Sequence, residues 1–303
     1  MTRRHDEGYK LLFSHPEMVR DLLRGFVHEP WVEELDFTTL EKEPCSFVGD
    51  RLRERRDDLI WRVRWQGNWL YVYILLEFQS KVDPYMALRM MSYVSSLWLD
   101  LHARRRLHPD GSLPPVLPVV LYNGRKHWTA PVEVADLVAT MPVGLDRFRP
   151  RLTHLVIDEL RCAESDLQPV RNLVAVLFQL EHGRDEDTLV QLMRNLLVWL
   201  HSDEQRSLRR SFAVWIRRVL LNTDVVGRVA VSQEIGELSE ATVMLEENIR
   251  YIIARRKAEA RAEGRTEALR ATARRMQGLG VSVAEIAKFL GITEDAVRGL
   301  LES

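Results

Sequence analysis

The sequence predicts an α/β fold, a mixed β-sheet flanked by helices and followed by a mostly helical second half. Three observations predict it. Residues 35–79 are rich in Val, Ile, Trp, Tyr and Phe and hold a Gly67-Asn68 hairpin signal. Residues 84–106 place Met86, Met90, Tyr93, Val94, Leu97 and Leu101 on one helical face. Residues 114–124 form a short apolar run closed by Asn123-Gly124, the pattern of a buried strand.

Taken in order, residues 7–27 carry Leu11, Leu12, Met18, Leu22, Leu23 and Phe26 at helical spacing, interrupted near Pro16, which predicts one or two short helices. The β-rich stretch, the 84–106 helix and the strand before Gly124 follow, and residues 152–158 suit a further strand. From 166 to 222 the apolar spacing is helical again, through Leu173, Val176, Leu177 and Leu180 to Trp215 and Val219. Residues 246–278 read as a long helix polar on all sides, a solvated connector. The last stretch, 279–303, has helix-turn-helix form, with Ala287 small at the crossing, Gly291 in the turn, and Ile286, Leu290, Ile292, Val297 and Leu300 as its core. The expected organisation is therefore a core at 1–165, a helical extension at 166–245, the connector at 246–278 and the small module at 279–303.

Composition narrows the function. The 303 residues are 46% hydrophobic and 29% charged, which excludes a disordered or low-complexity chain. A formal net charge of −1 means that any nucleic-acid binding must come from local patches. Cys45 and Cys162 are too few for a disulfide framework or a zinc site, and suit a reducing compartment. No apolar run approaches the ~20 residues of a membrane span, and the N-terminal residues lack a secretory h-region. A cytoplasmic location without membrane contact is expected.

The chemistry concentrates in the hairpin. With Gly67-Asn68 as the turn and Gln66 opposite Trp69, one face carries Leu59, Trp61, Val63 and Trp65 against Leu76, Ile74, Val72 and Leu70, all apolar. The other face carries Asp58, Ile60, Arg62, Arg64 and Gln66 against Glu77, Leu75, Tyr73, Tyr71 and Trp69. This register sets Asp58 directly opposite Glu77, where Cβ atoms lie about 4.5–5.5 Å apart. Two like charges at that distance call for a neutraliser, and a hard divalent cation is one that takes carboxylate oxygens. Gln79 would share the face and orient a water. The alternative is that Arg56 or Arg62 pairs with each acid at a solvated strand end. Arg51, Arg53, Arg55 and Arg56 stand just before the hairpin, either guiding phosphates to it or balanced by Asp50, Glu54, Asp57 and Asp58.

Asp58-Leu-Ile-Trp followed by Glu77-Phe-Gln-Ser resembles the active-site hairpin of PD-(D/E)XK nucleases, and more closely that of the Rpn family of recombination-promoting nucleases, the YhgA-like putative transposases. His5-Asp6 with Tyr9-Lys10-Leu-Leu-Phe13 resembles that family's opening helix. Ser80, Asp83, Met86-Ala-Leu-Arg89 and Tyr93 resemble its crossover, and Pro118-Val-Val-Leu-Tyr122-Asn-Gly124 its next strand. The resemblance covers most of residues 5–160. It implies a PD-(D/E)XK-nuclease-like core and a Mg²⁺- (or Mn²⁺-) dependent DNA endonuclease linked to recombination or mobile elements. Asp58, Glu77 and the Phe78 carbonyl would be metal ligands, and Gln79 would occupy the usual lysine position. Two departures stand out. Asp57 replaces the name-giving Pro, and neutral Gln79 can hold a water but cannot offer an ammonium to the transition state.

The rival readings are a non-catalytic DNA-binding regulator using the tail and a degenerate nuclease fold acting through protein partners. The tail is a poor reader, since its second helix begins Thr293-Glu-Asp and offers only Arg298 to base edges. Packing or homodimer formation suits it better. Arg104-Arg105-Arg106 reads as a helix end favoured by the dipole, and His5, His127 and His154 lack ligand-like spacing.

Overall fold

The computed structural model describes residues 2–43, 58–77, 82–124, 126–162, 171–182, 186–218 and 237–302. Two helices open the chain, α1 (Thr2–Leu12) and α2 (Pro16–Phe26), the second started by Pro16 at the position where a missing N–H costs nothing. Strands β1 (Leu35–Glu43), β2 (Asp58–Trp65) and β3 (Asn68–Glu77) precede helix α3 (Met86–Ala103). Strands β4 (Val116–Tyr122) and β5 (Leu155–Asp158) follow. The five strands lie in the order β1-β2-β3-β4-β5, antiparallel from β1 to β3 and parallel from β3 to β5. The predicted α/β class with a mixed sheet is the observed one, and its architecture is consistent with a PD-(D/E)XK-like core.

Helices cover both faces. On one side Leu59, Trp61, Val63, Val72 and Ile74 are buried, and Trp61 Nε1 donates to the Phe13 carbonyl at 3.2 Å, beside α1 and α2. On the other, Ile60, Tyr71 and Tyr73 pack with Met86, Met90, Tyr93 and Leu97 of α3. The face expected to be polar is therefore apolar in its middle, because the helix after β3 needs a surface on which to bury its own stripe. Trp65 at the strand end is only half-buried, its Nε1 donating to Glu34 at 2.9 Å.

The hairpin corrects the expected register. Its turn is Gln66-Gly67, both in the left-handed region at φ +48° and +82°, so Trp65 pairs with Asn68 and Asp58 with Leu75. Asp58 does not face Glu77, which stands two positions further along β3. The physical reason is the turn. A tight hairpin with positive φ at both corners places glycine at the second, where φ is larger, so Gly67 closes the turn and Asn68 begins the strand. A shift of two residues keeps every side of the pattern intact: Leu59 meets Ile74, Trp61 meets Val72 and Val63 meets Leu70.

The helices α4 (Leu173–His182), α5 (Glu186–Trp199) and α6 (Arg206–Arg218) join the sheet unit, α4 packing on α2 and α6 on α1. Asp21, buried on α2, accepts the Leu173 N–H at 2.8 Å, and Asn172 accepts from Val174 and Ala175 at 3.0 and 2.9 Å, so two side chains cap α4. Gly25 makes room for this cap, because a Cβ there would lie 2.5 Å from Asn172 Nδ2.

The chain divides into two compact units, Met1–Met244 and Leu245–Ser303. Helix α7 (Leu238–Gly278) starts eight residues before the expected connector, because Leu238, Ala241 and Thr242 bury its first turn. In the second unit, α8 (Val283–Leu290) and α9 (Glu294–Glu302) pack with the end of α7 around Ala273, Ile286, Ala287 and Val297. Ser282 and Glu285 form a capping box, and Gly291 ends α8 at φ +66°. Leu301, not the expected Leu300, belongs to this core. Arg298 is held by Glu294 and Asp295 of its own helix at 3.3 and 3.1 Å, so the one base-edge donor of the tail is already engaged. Among the described residues, no helix is long and apolar enough to cross a membrane.

The two registers differ in what substitutions cost. In the observed turn Gly67→Ala should destabilise by about 1–2 kcal/mol, the penalty of a side chain in the left-handed region. Asn68→Thr, at a strand position, should change stability by less than about 0.5 kcal/mol. Equilibrium denaturation of the two variants measures both.

His154 sets an acid limit on the fold. It is buried beside Trp128, and neither ring nitrogen has a hydrogen-bond partner among the described residues. Burial lowers its pKa, so the folded chain holds it neutral while the unfolded chain protonates near about 6.5. Its contribution to stability is full above that pH and is lost as pH falls below it. Thermal melts should show a decline from pH 7 to pH 5 that His154→Phe makes shallower.

Candidate active site

Glu77, Tyr122 and Asp158 occupy one level across the three parallel strands, since Glu77 pairs with Tyr122 and Tyr122 with Asp158. All three end their strands. The carboxyl ends of parallel strands are where α/β sheets open onto a crevice, because the chain turns away there to opposite faces. The hairpin brings Asp58, the first residue of β2, to the same end of the sheet as Glu77, the last of β3. The two are diagonal neighbours on adjacent strands and share one face of the sheet, positions that lie about 7–8 Å apart.

The side chains of Asp58 and Glu77 lie outside the described residues, as do Phe78 and Gln79 and the arginines at 51, 53, 55 and 56. Among the described residues, no three His, Cys, Asp or Glu side chains are grouped to hold a metal ion. Of the pairings weighed for the hairpin arginines, Arg62 binds acids of β1: it meets Glu41 at 2.5 Å and Glu43 at 3.0 Å. Its guanidinium also lies 4.1 Å from the Trp69 ring centre. Arg106 closes on buried Glu43 through both nitrogens, at 2.8 and 2.5 Å, so it is an ion-pair residue of the sheet edge rather than only a helix-end cation.

One residue past this level lies a buried polar cluster that sequence reasoning missed. The hydroxyl of Tyr9 on α1 donates to Glu159 at 3.1 Å and makes a short hydrogen bond to Glu181 of α4, while Asn123 donates to it at 3.3 Å. Asn123 directly follows β4 and Glu159 directly follows β5. Burial, then the charges of Glu159 and Glu181, raise the Tyr9 pKa well above its ordinary value, so the phenol stays a donor. Its ring stacks on Phe13 at 6.0 Å and meets Trp215 of α6 edge-on at 6.5 Å. A single side chain thus ties the first helix to two strand ends and two later helices. Asp158 anchors the segment after β4: its carboxylate accepts the backbone N–H of Trp128 at 2.8 Å and of Leu160 at 3.1 Å, with His127 and Arg161 each at 3.5 Å. The signal for this cluster was available only in part. Polar residues immediately after buried strands mark a crevice, but nothing local announces that Tyr9 and Glu181 meet there.

Comparison with known proteins decides the family. The profile of the family described as "Putative transposase, YhgA-like" matches residues 3–210. The chain belongs to the YhgA-like transposase family. It is 26% identical to the recombination-promoting nuclease RpnA of Escherichia coli K12 over 294 residues, 96% of this chain and 94% of RpnA. It is 32% identical to RpnD of Escherichia coli O157:H7 over 124 residues, 40% of this chain and 46% of RpnD. The family also holds members named inactive. The chain is 34% identical to the "Putative inactive recombination-promoting nuclease-like protein YjiP" of Escherichia coli K12 over 89 residues, 29% of this chain and 86% of that protein. No solved structure matches.

Removing the Tyr9 hydroxyl tests the cluster. Tyr9→Phe keeps both ring contacts and deletes the one phenolic proton shared between two acids, so it should lower stability by about 1.5–3 kcal/mol, the worth of a hydrogen bond to a charged group. Denaturant titration measures it.

Proposed function

We propose that this chain is a metal-dependent nuclease that hydrolyses phosphodiester bonds of DNA in recombination. The observation that carries the reading is the strand register that brings Asp58 and Glu77 to the same end of adjacent strands. It is supported by likeness to proteins named recombination-promoting nucleases, one of them along almost the whole chain.

The donor set fits a hard cation. Two carboxylates with the Phe78 carbonyl are all oxygen ligands, the kind Mg²⁺ and Mn²⁺ take, and they leave positions for water and a phosphate oxygen. When bound, the cation would lower the pKa of a water and stabilise charge on the attacked phosphate. Asp58 and Glu77 would hold it. Gln79 would fix the direction of the water through its amide, without contributing charge. Buried Tyr9 and Asp158, with half-buried Asn123, would brace the strand ends, so that the two carboxylates keep their spacing when the cation is absent.

A second reading has its own support. Gln79 would take the place of the family's usual lysine and its ammonium, and the relatives include proteins named inactive. In that reading the same fold binds DNA without cutting it.

Supercoiled plasmid separates the two. With Mg²⁺ or Mn²⁺ the protein should nick or linearise it, and a chelator should stop the reaction. Asp58→Ala and Glu77→Ala should each lose more activity than the roughly 10–100-fold typical of second-sphere changes, with melting temperature unchanged or raised. Gln79→Lys should nick faster. Wild-type protein that binds plasmid but never cuts it would establish the second reading.

A further inference from the structure

The segment between β4 and β5 has a surface that the fold leaves unused. Residues 141–151 carry three arginines, Arg147, Arg149 and Arg151, against one acid, Asp146. None of the three has an acidic partner among the described residues. By contrast, Arg20, Arg62, Arg89, Arg104 and Arg106 of the same unit are each paired with an acid. Among these unpaired cations stand apolar side chains open to solvent: Val143, Leu145, and Phe148 at 65% exposure. The Arg147 guanidinium lies 4.8 Å from the centre of the Phe148 ring.

The segment is held in shape despite its exposure. Phe148 N–H donates to Leu145 at 2.9 Å and Arg149 N–H to Asp146 at 3.1 Å, forming a short turn. Behind it, Val134 N–H donates to Leu152 at 3.1 Å, and Glu133 bridges to Thr153. Arg147, Phe148 and Arg151 are therefore presented to solvent, with Arg149 half-buried beside them, by a fixed backbone on the approach to the edge strand β5.

Exposed aromatic and aliphatic groups among unpaired arginines are unfavourable in water and among like charges, and both costs vanish against a polyanion with apolar edges. Duplex DNA has that chemistry, with phosphates at regular spacing and sugar and base edges between them. A chain of net charge −1 has no general attraction for it, so the attraction must be local.

We propose that Arg147, Phe148, Arg149 and Arg151 form a duplex-DNA contact surface, the arginines on phosphates and Phe148 in a groove. The choice of DNA as occupant rests on the nuclease reading above. The site itself lies outside the pair of carboxylates and takes no part in the cleavage step.

The test is duplex binding by the full-length chain in chelator, where no cutting occurs, across a salt series. Changing all three arginines to Ala should weaken binding about tenfold or more and make the dependence of log affinity on log salt shallower by about 2–3, near one for each lost phosphate contact. Lys at the three positions should restore the slope. Phe148→Ala should weaken binding by at least about fivefold and leave the slope unchanged. Arg206→Ala with Arg210→Ala, two exposed cations elsewhere, should change neither. An unaltered triple variant overturns the proposal, as does an equal loss from the Arg206 and Arg210 control. A triple variant with normal DNA affinity but altered mass in light scattering makes the patch a self-contact and also overturns it. Failure of the binding arms with plasmid nicking intact removes this surface alone, whereas binding arms that hold with no nicking remove the cleavage reading alone.

Discussion

Everything in the first unit depends on β3 satisfying two neighbours of opposite direction. Its backbone pairs antiparallel with β2 and parallel with β4, and both of its faces are buried, Val72 and Ile74 on one side and Tyr71 and Tyr73 on the other. Each such side chain is worth roughly 1.5–3 kcal/mol when fully removed from water. A central strand of this kind cannot slide, because any slip breaks two ladders and two cores at once. The fixed position of β3 is also what fixes Glu77 at the level of Tyr122 and Asp158.

The helices are tied to that sheet by buried polar groups more than by shape alone. Asp21 and Asn172 join α2 to α4, Glu43 joins β1 to the end of α3 through Arg106, and Tyr9 joins α1 to the ends of β4 and β5. Each is satisfied by donors that the fold supplies, so burial is offset locally. Such groups add little net stability compared with an apolar core. They do penalise alternatives, because any other packing strands a buried carboxylate. Three of these ties place residues from the first 45 positions against residues more than 60 positions away.

The sheet and its helices were legible because burial writes a period into the chain. Alternation marked β2 and β3, a helical stripe marked α3, and the turn-closed apolar run marked β4. The register was legible only in part. A period of two assigns each residue to a face, yet it gives the same answer for pairings that differ by two residues, so the apolar match of Leu59, Trp61 and Val63 was equally good for the wrong partners. Only the turn could separate them, and there the decisive fact was which corner glycine takes. The Tyr9 cluster was illegible for a different reason. Residues 9, 123, 159 and 181 meet through topology, and no local pattern records which helix comes to rest over a strand end.

Electrostatics then divides the surface into closed and open regions. Where the sheet buries acids, it also supplies their cations, as with Glu43 held between Arg62 and Arg106. Such pairs cancel within a few ångströms and project almost no field beyond the Debye length of about 8 Å at physiological salt. A near-neutral chain built this way is electrostatically quiet except where cations stay uncompensated. The arginines of residues 141–151 are such a place on the sheet unit. Those of residues 246–278 are interleaved with Glu259, Glu263 and Glu267 along the same helix. An acid within one helical turn screens the arginines from Arg250 to Arg270 for an approaching phosphate, whereas Arg274 and Arg275 have none within a turn. Long-range attraction of a polyanion thus follows from the distribution of pairing, not from the count of arginines, and favours the sheet unit over the interleaved stretch of the charged helix from Arg250 to Arg270.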